Sequence, residues 1–292
     1  MKKNFKLFCF GFGQVANYFV KSLIKKNFSF DLVSTNTNKT QFRKIDNLKH
    51  ISYFFNGDKF DEKLLEELDS SNKVLISIPP VNTTDIVTRI FKNKFEKNNF
   101  DWVTYLSATS VYGDKEGQWV NEELNLKPTS PKGVNRVNAE KKWLEFYEKF
   151  KLPIQIFRLS GIYSHENNII KRLKAGTVKI VKKKDHFFSR IHVEDIAEVL
   201  TLSLNRFKSG QIYNISDDYP CSNEEITQYA AKIMQVQKPE AVSVENIKNE
   251  MLKNFYKDSK KVSNKKMKLF FDYKLKYPTF KEGLKVIRNH YI

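Results

Sequence analysis

The chain has 292 residues, of which 40% are hydrophobic and 29% charged, a composition that fits a folded protein with a sizeable core and excludes a disordered one. Its formal net charge is +18, but the basic residues are 43 scattered lysines and only eight arginines. No RNA-binding aromatic motif and no zinc-finger spacing accompany this charge, so the sequence argues against nucleic acid as the partner.

Metal, disulfide and membrane functions find no support in the sequence either. Cys9 and Cys221 lie far apart, and neither belongs to a CxxC motif or a metal-binding cluster. No stretch approaches the ~18 uncharged apolar residues of a membrane span. The short apolar run after Met1 leads into a glycine turn rather than a cleavage site, so we expect a cytoplasmic protein without a signal peptide.

Short apolar runs rich in β-branched and aromatic residues alternate with stretches of helical spacing along most of the chain. Near-continuous apolar runs are typical of strands buried on both faces, and strand–helix alternation is typical of a parallel sheet covered by helices on both sides. The sequence therefore predicts a doubly wound, Rossmann-type α/β fold. The predicted strands are 5–11, 30–35, 50–55, 73–78, 101–106, 153–159 and 211–215.

The pattern changes after the last of these strands. Residues 223–234 have the spacing of a helix, and Thr279 and Glu282 are spaced as a capping box for a final helix. We therefore expect a Rossmann-type dinucleotide-binding domain in 1–163, completed by 188–216. Residues 164–187 and 217–292 are predicted to form a small α+β cap that binds the substrate.

The clearest motif is a glycine turn between the first predicted strand and the first predicted helix. Gly11 permits a tight turn, and Gly13 allows the backbone to approach a pyrophosphate. Ala16 is small enough for close packing of the helix on the strand. The N–H groups at the helix start, from Gln14 and Val15, are directed toward the phosphates. The motif predicts a dinucleotide site.

The end of the second strand indicates which dinucleotide binds. An acidic residue at this point commonly holds the ribose 2′-hydroxyl of NAD, but the segment Ser34 to Lys39 contains no carboxylate. The hydroxyl of Thr35, the amide of Asn36 and the amine of Lys39 suit a 2′-phosphate better. The sequence favours NADP over NAD, although no arginine lies in that turn.

Five segments together resemble the extended short-chain dehydrogenases/reductases, the NAD-dependent epimerase/dehydratase family, in an atypical branch with GxGxxG/A at the glycine turn. They occur in the family order and span most of the chain. The segments are Gly11–Ala16, Tyr105–Gly113, Phe157–Tyr163, Arg190–Ala197 and Tyr213–Asp218.

The resemblance implies further residues of the cofactor site. Asp58 matches the acid that reaches the adenine. Ser77 to Pro80, including Pro79, match the segment beside the pyrophosphate and the nicotinamide ribose. His192 and Asp195 match a family motif that we interpret as organising a helix start. A homodimer through helices that flank the sheet is also usual for the family.

The acid/base residues of the family are replaced in this chain. Family members use a tyrosine, a lysine four residues later that lowers the phenol pKa, and a serine or threonine that holds the carbonyl. Ala139 and Glu140 fix the register of the catalytic helix, which aligns the tyrosine position with Lys132 and the lysine position with Arg136. The hydroxyl position aligns with Ala108. Phe188 stands where sugar-nucleotide epimerases often have an arginine for the substrate diphosphate.

Two functional hypotheses follow. The first is an NAD(P)-dependent oxidoreductase or epimerase/dehydratase-like enzyme with a rearranged acid/base set, acting on a small carbonyl or sugar-nucleotide-like substrate. The second is a non-catalytic NAD(P)-binding sensor or regulatory protein. Candidate catalytic residues lie near the end of the fifth predicted strand and on the catalytic helix, and the best of them for acid/base chemistry is the tyrosine. The candidates are Ser107, Thr109, Tyr112 and Arg136, with Ser110 and Tyr163 as further polar residues.

Overall fold

The computed structural model describes residues 4–97, 99–247 and 256–291. Its strands are β1 (Phe5–Phe10), β2 (Phe30–Asn36), β3 (Gln41–Ile45), β4 (Leu48–Phe54), β5 (Lys73–Ile76), β6 (Trp102–Ala108), β7 (Trp119–Val120), β8 (Ile154–Leu159), β9 (Gly161–Tyr163), β10 (Ile180–Lys182), β11 (Arg190–His192), β12 (Ile212–Ile215), β13 (Ala241–Ser243) and β14 (Lys261–Val262).

The helices include one of 20 residues and several short ones. They are α1 (Gln14–Lys25), α2 (Lys63–Asp69), α3 (Ile86–Ile90), α4 (Lys92–Lys97), α5 (Pro131–Phe150), α6 (Ile169–Lys174), α7 (Val193–Ser203), α8 (Asn223–Met234), α9 (Lys265–Phe271) and α10 (Phe280–Arg288). Single 3-10 turns occur at Thr109–Tyr112 and Val244–Asn246.

Eight strands form one sheet in the order β12-β8-β6-β5-β1-β2-β4-β3. Strand β1 pairs in parallel with β2 and β5, β2 pairs in parallel with β4, and β5 pairs in parallel with β6. All seven predicted strands are present with ends shifted by one or two residues, which confirms the predicted α/β sheet. The sequence did not predict β3, an edge strand antiparallel to β4.

Helices cover both faces of this sheet. On one face Phe19 of α1 stacks against Trp102 of β6, with ring centroids 6.0 Å apart. On the other face the ring of Trp143 in α5 lies 6.1 Å from that of Tyr105 in β6. Alternate residues of a strand point to opposite faces, so the apolar run of β6 supplies both cores.

The chain divides into two compact units, Met1–Ala108 with Val134–Arg158 and Ile196–Tyr213, and Thr109–Gly133 with Leu159–Asp195 and Asn214–Ile292. The second unit has its own apolar cluster, in which Ile226 of α8 packs with Phe280 and Leu284 of α10. Helix α8 has the predicted bounds, and the predicted capping box of Thr279 and Glu282 begins α10. The functional boundaries proposed from the sequence stay predictions.

In the described part of the chain, no helix combines the length and the apolar character needed to cross a membrane.

Candidate functional site

The glycine turn joins β1 to α1 in the conformation that its sequence predicts. Gly11 has a φ of +79°, and a Cβ placed on it would lie 3.0 Å from both Ser77 Oγ and Ile78 Cγ1. Larger residues are therefore excluded by backbone conformation and by space. Gly13 precedes α1 as its N-cap, without a side-chain cap, and a Cβ there would meet nothing within 4 Å. The backbone at Gly13 faces open space.

Two neighbouring strands hold the turn through their carboxyl ends. The backbone N–H of Gly11 donates to Thr35 Oγ1 at the end of β2, at 2.8 Å. After β5, the hydroxyl of Ser77 lies 3.0 Å from the carbonyl oxygens of both Phe10 and Gly11. Three residues that the sequence assigned to one site are thus brought together by hydrogen bonds. Thr35 is only 1% exposed, so its hydroxyl supports the turn rather than facing solvent.

The segment after β2 is ordered by Asn36. Its side-chain amide donates to the backbone carbonyls of Ser52 and Lys39, while its Oδ1 accepts the N–H groups of Asn38 and Lys39. The amide predicted to meet the cofactor therefore holds the local turn. Lys39 is exposed at the tip, and its side chain is the cation that this segment presents to solvent.

The predicted adenine residue, Asp58, is exposed in the turn after β4. Its carboxylate lies 3.2 Å from the guanidinium of Arg89, which also donates to the carbonyl of Gly57 at 2.6 Å. Asn56 Oδ1 accepts the N–H of Asp58 at 3.1 Å and shapes the turn. Pro79 is exposed in the segment after β5.

Arg136 of α5 is fixed over the carboxyl end of β6. Its Nη1 donates to the carbonyl oxygen of Leu106 at 2.5 Å, and the side chain is half-buried. This places a permanent cation at the end of the strand, because a guanidinium does not lose its proton at neutral pH.

The side chain of Ser107 belongs to a buried polar cluster. Its hydroxyl donates to Glu140 of α5 at 2.5 Å, and Arg158 of β8 donates to both oxygens of the same carboxylate. The side chains of Glu140 and Arg158 are 2% and 3% exposed, so this is a fully desolvated ion pair. The cluster links α5 to β6 and β8 and holds the helix on the sheet.

Tyr112 lies in the second unit, at the end of the 3-10 turn. It is completely buried, and its hydroxyl donates to Asn214 Oδ1 at 2.7 Å. Thr109 at the start of the turn is half-buried. The first turn of α5 packs tightly here, since a Cβ on Gly133 would lie 2.6 Å from the carbonyl oxygen of Ser110. Lys132, at the tyrosine position, is exposed.

Lys260 is a neighbour of this turn that the sequence analysis missed. Its Nζ donates to the carbonyl oxygen of Gly113 at 2.8 Å and lies 3.4 Å from Asp258. Burial lowers the pKa of the amine. A lysine in a lysine-rich segment has no sequence signal that separates it from solvated ones, so only the fold identifies it.

His192 and Asp195 act within the second unit as structural groups. The ring of His192 is buried between those of Tyr163 and Tyr277, at centroid distances of 5.0 and 4.1 Å. The carboxylate of Asp195 accepts the hydroxyl of Tyr273 at 2.6 Å and the backbone N–H of Lys276 at 2.7 Å. The motif therefore anchors the segment that precedes α10.

The sheet, its helices on both faces and the glycine turn at the carboxyl end of β1 define a Rossmann-type protein. The family model described as NAD dependent epimerase/dehydratase family matches residues 81–216. The chain belongs to this family.

Solved structures have a similar fold over nearly the whole length of this chain. A conserved protein of unknown function from Silicibacter pomeroyi is 30% identical, with 98% of this chain and 99% of that chain covered and a TM-score of 0.85. The dTDP-glucose 4,6-dehydratase of Bacillus anthracis, solved with NAD, is 16% identical, with 98% and 96% covered and a TM-score of 0.80.

Among curated proteins, the dTDP-D-glucose 4,6-dehydratase of Dictyostelium discoideum is 26% identical over 228 residues. The match covers 65% of this chain and 51% of that protein, so the chain spans about half the length of this relative.

Proposed function

We propose that this protein binds NADP or NAD at the glycine turn and uses it in a redox step on a small carbonyl or sugar-nucleotide-like substrate. The observation that carries the proposal is the turn itself. Gly11 has a positive φ and is supported from two strands, while Gly13 leaves open space beside an uncapped helix start. This combination suits a pyrophosphate, which accepts hydrogen bonds from the N–H groups of a helix N-terminus. The NAD in the Bacillus anthracis dehydratase structure supports the same cofactor class.

NADP is the preferred cofactor in this proposal. The exposed end of β2 offers Lys39 and no carboxylate, so a 2′-phosphate meets a cation rather than an anion. NADPH should therefore bind more tightly than NADH, and Lys39→Glu should reverse or abolish the preference. If the wild type binds NADPH and NADH equally tightly and Lys39→Glu changes neither affinity, the preference for NADP is contradicted.

The acid/base set differs from that of the family. Arg136 takes the place of the lysine as a fixed cation that does not act as a base. Of the hydroxyl candidates, Tyr112 is buried against Asn214 and Ser107 against Glu140, so each needs a rearrangement before it reaches a substrate. Thr109 is the more accessible hydroxyl. We propose Arg136 as the fixed cation that the first unit offers to the chemistry, and we keep Thr109 and Tyr112 of the second unit as the hydroxyl candidates.

Calorimetry with NADPH and NADH tests cofactor binding, and a screen of carbonyl and sugar-nucleotide substrates with NADPH oxidation as readout tests catalysis. In any active condition, Thr109→Ala and Arg136→Ala should lower turnover. Unchanged turnover in Tyr112→Phe and Lys132→Ala would eliminate those side chains. Absence of cofactor binding at millimolar concentration would contradict the whole proposal.

A second candidate, a non-catalytic NAD(P) sensor, is favoured by Lys132 and Ala108 at the positions of the family tyrosine and hydroxyl. Tight cofactor binding without turnover on any substrate of the screen would favour the sensor. The cytoplasmic location and the homodimer stay predictions from the sequence.

A further inference from the structure

A cavity of about 640 Å³ lies in the second unit, bordered by β7, by β14 and by the residues that follow β12. Its volume is within the range of about 300–1,000 Å³ that is typical of small-molecule sites. Every residue that lines it belongs to the second unit, whereas the glycine turn belongs to the first. We name it the Trp119 cavity, after the tryptophan of β7 that lines it, and it shares no residue with the cofactor site proposed above.

The apolar part of the Trp119 cavity is accessible to solvent. Trp119 is 57% exposed and Leu124 is 39% exposed, and the buried residues Val120 and Val262 line the cavity with them. Covering such surfaces with an apolar group is favourable, and an exposed indole offers a flat face on which another aromatic ring stacks. These residues therefore suit a ligand that contains an aromatic ring.

Two further lining residues supply hydrogen-bonding groups. Asp217 is 1% exposed, and its Oδ2 has no hydrogen-bond partner in the described part of the chain. Asn264 stands at the start of α9 without capping it, and its amide nitrogen donates instead to the carbonyl of Ser216 and to Asp218. Buried polar atoms are almost always satisfied, so the oxygen of Asp217 indicates a ligand with a polar substituent. Burial raises the pKa of Asp217 and so favours the neutral carboxyl, which donates as well as accepts.

Lys265 is the charged group that the cavity offers to a ligand. The carboxylate of Asp218, which also lines the cavity, is already paired with Lys268 at 3.0 Å. The side chain of Lys265 is exposed and forms no ion pair with the residues that the structure describes. An ammonium beside a neutral carboxyl and a compensated carboxylate attracts an anion and repels a cation.

We propose that the Trp119 cavity binds an aromatic acid, with the ring against Trp119, the anionic group on Lys265 and a polar substituent of the ring on Asp217. This is a second ligand site, and it does not depend on cofactor binding, because none of its residues belongs to the glycine turn.

Three ligands that share a 4-hydroxyphenyl ring test the preference for charge: 4-hydroxyphenylacetate is an anion, tyrosol is neutral and tyramine is a cation. Cyclohexylacetate keeps the anion and lacks the aromatic ring. Calorimetry on the full chain measures each affinity, and quenching of tryptophan fluorescence by acrylamide locates the ligand. Trp102 and Trp143 are 1% and 0% exposed, so Trp119 is the accessible one of the three tryptophans. We expect 4-hydroxyphenylacetate to bind more tightly than the other three ligands and to protect Trp119 from acrylamide.

Substitutions in the cavity assign the two main contacts. Trp119→Ala should weaken binding of 4-hydroxyphenylacetate about tenfold, because the stacking surface is lost, and Trp119→Phe should keep most of the affinity. Lys265→Glu should reverse the preference, so that tyramine binds more tightly than 4-hydroxyphenylacetate. Lys266→Glu is the matched control, since it makes the same change of charge at the next residue of α9, which does not line the cavity. It should keep the wild-type order of affinities.

The outcomes decide both contacts. If the wild type binds tyramine more tightly than 4-hydroxyphenylacetate, or if Lys265→Glu and Lys266→Glu have equal effects, Lys265 does not hold an anion and the proposal is overturned. Full affinity in Trp119→Ala, or no binding of any of the four ligands at millimolar concentration, overturns it as well. Binding of NADP should be the same in all these variants, and failure of both dinucleotides to bind the wild type would contradict the proposed function alone.

Discussion

Gly11 and Gly13 lie in the same turn but are glycines for different reasons. At Gly11 the backbone has a positive φ, and a Cβ would press on Ser77 and Ile78. At Gly13 the backbone is extended and the space beside it is open. Gly11 is therefore required by the fold, whereas Gly13 leaves open the space that we propose for the pyrophosphate.

This difference gives a prediction for two variants. Gly13→Val should keep the stability of the wild type and lose cofactor affinity, because the side chain enters the open space by the helix start. Gly11→Ala should lower the free energy of unfolding by about 1–2 kcal/mol or more, the cost of a left-handed backbone with a Cβ. Thermal unfolding and calorimetry on both variants check this. Full cofactor affinity in a folded Gly13→Val protein would exclude the pyrophosphate from this space.

The residues around the glycine turn differ in how far the sequence alone predicts their contacts. Local rules were sufficient for Gly11 and Gly13, because a strand–glycine–helix order determines the turn. The sequence predicts that Thr35 faces a 2′-phosphate, but its hydroxyl accepts the N–H of Gly11, because the direction of a side chain at a strand end depends on its neighbours in the sheet.

Apolar periodicity identifies the central strands of the sheet but does not identify the edge strand β3. The strand Gln41–Ile45 has exposed polar and basic residues, and Phe42 is 84% exposed, so no buried face produced an alternating pattern. Charged residues on an edge strand also discourage pairing with other chains. Central strands such as β8 are buried throughout and were recognisable from composition alone.

A buried ion pair connects α5 to the central sheet. Glu140 lies in α5 and Arg158 lies in β8, within the family-like segment Phe157–Tyr163, and their pairing holds the helix on the sheet.

The ion pair predicts a large loss of stability when one partner is removed. Arg158→Met leaves Glu140 buried without its cation and should cost about 3–5 kcal/mol in the free energy of unfolding. The double variant Glu140→Met with Arg158→Met should recover much of this loss, because no unpaired charge is buried. The free energies of unfolding of the wild type, both single variants and the double variant, measured with denaturant, form a double-mutant cycle. Additive losses would show that the charges do not act as a pair.

Buried ionisable groups make the stability of the protein depend on pH in two opposing ways. His50 in the first unit and His192 in the second have their pKa lowered from 6.5 to about 4, chiefly by burial. The unfolded chain binds protons that these folded histidines do not bind, so their contribution to stability falls as pH drops from about 6.5 toward 4. Burial raises the pKa of the carboxyls of Asp85, Asp195 and Asp217, which act in the opposite direction.

Asp217 allows the effect of a buried carboxyl on stability to be measured separately from that of the histidines. It is 1% exposed, and burial raises the pKa of its carboxyl well above 3.8. One oxygen accepts the N–H of Tyr219 at 3.2 Å, while Oδ2 has no partner in the described part of the chain. Between 3.8 and the raised pKa, the folded protein retains a proton that the unfolded chain releases. The contribution of Asp217 to stability therefore falls as pH rises through this window and is lowest above it.

Asp217→Asn should remove this dependence while it keeps the side-chain shape and the acceptor for Tyr219. We expect the variant to unfold a few degrees above the wild type at pH 8 and the difference to shrink steadily as pH falls toward 4. Asp218→Asn is the control, since Asp218 pairs with Lys268 at 3.0 Å and its loss should bring no gain at any pH. Thermal unfolding of the three proteins across this range decides the matter. An Asp217→Asn protein less stable than the wild type by a margin independent of pH would mean that burial does not penalise this carboxylate.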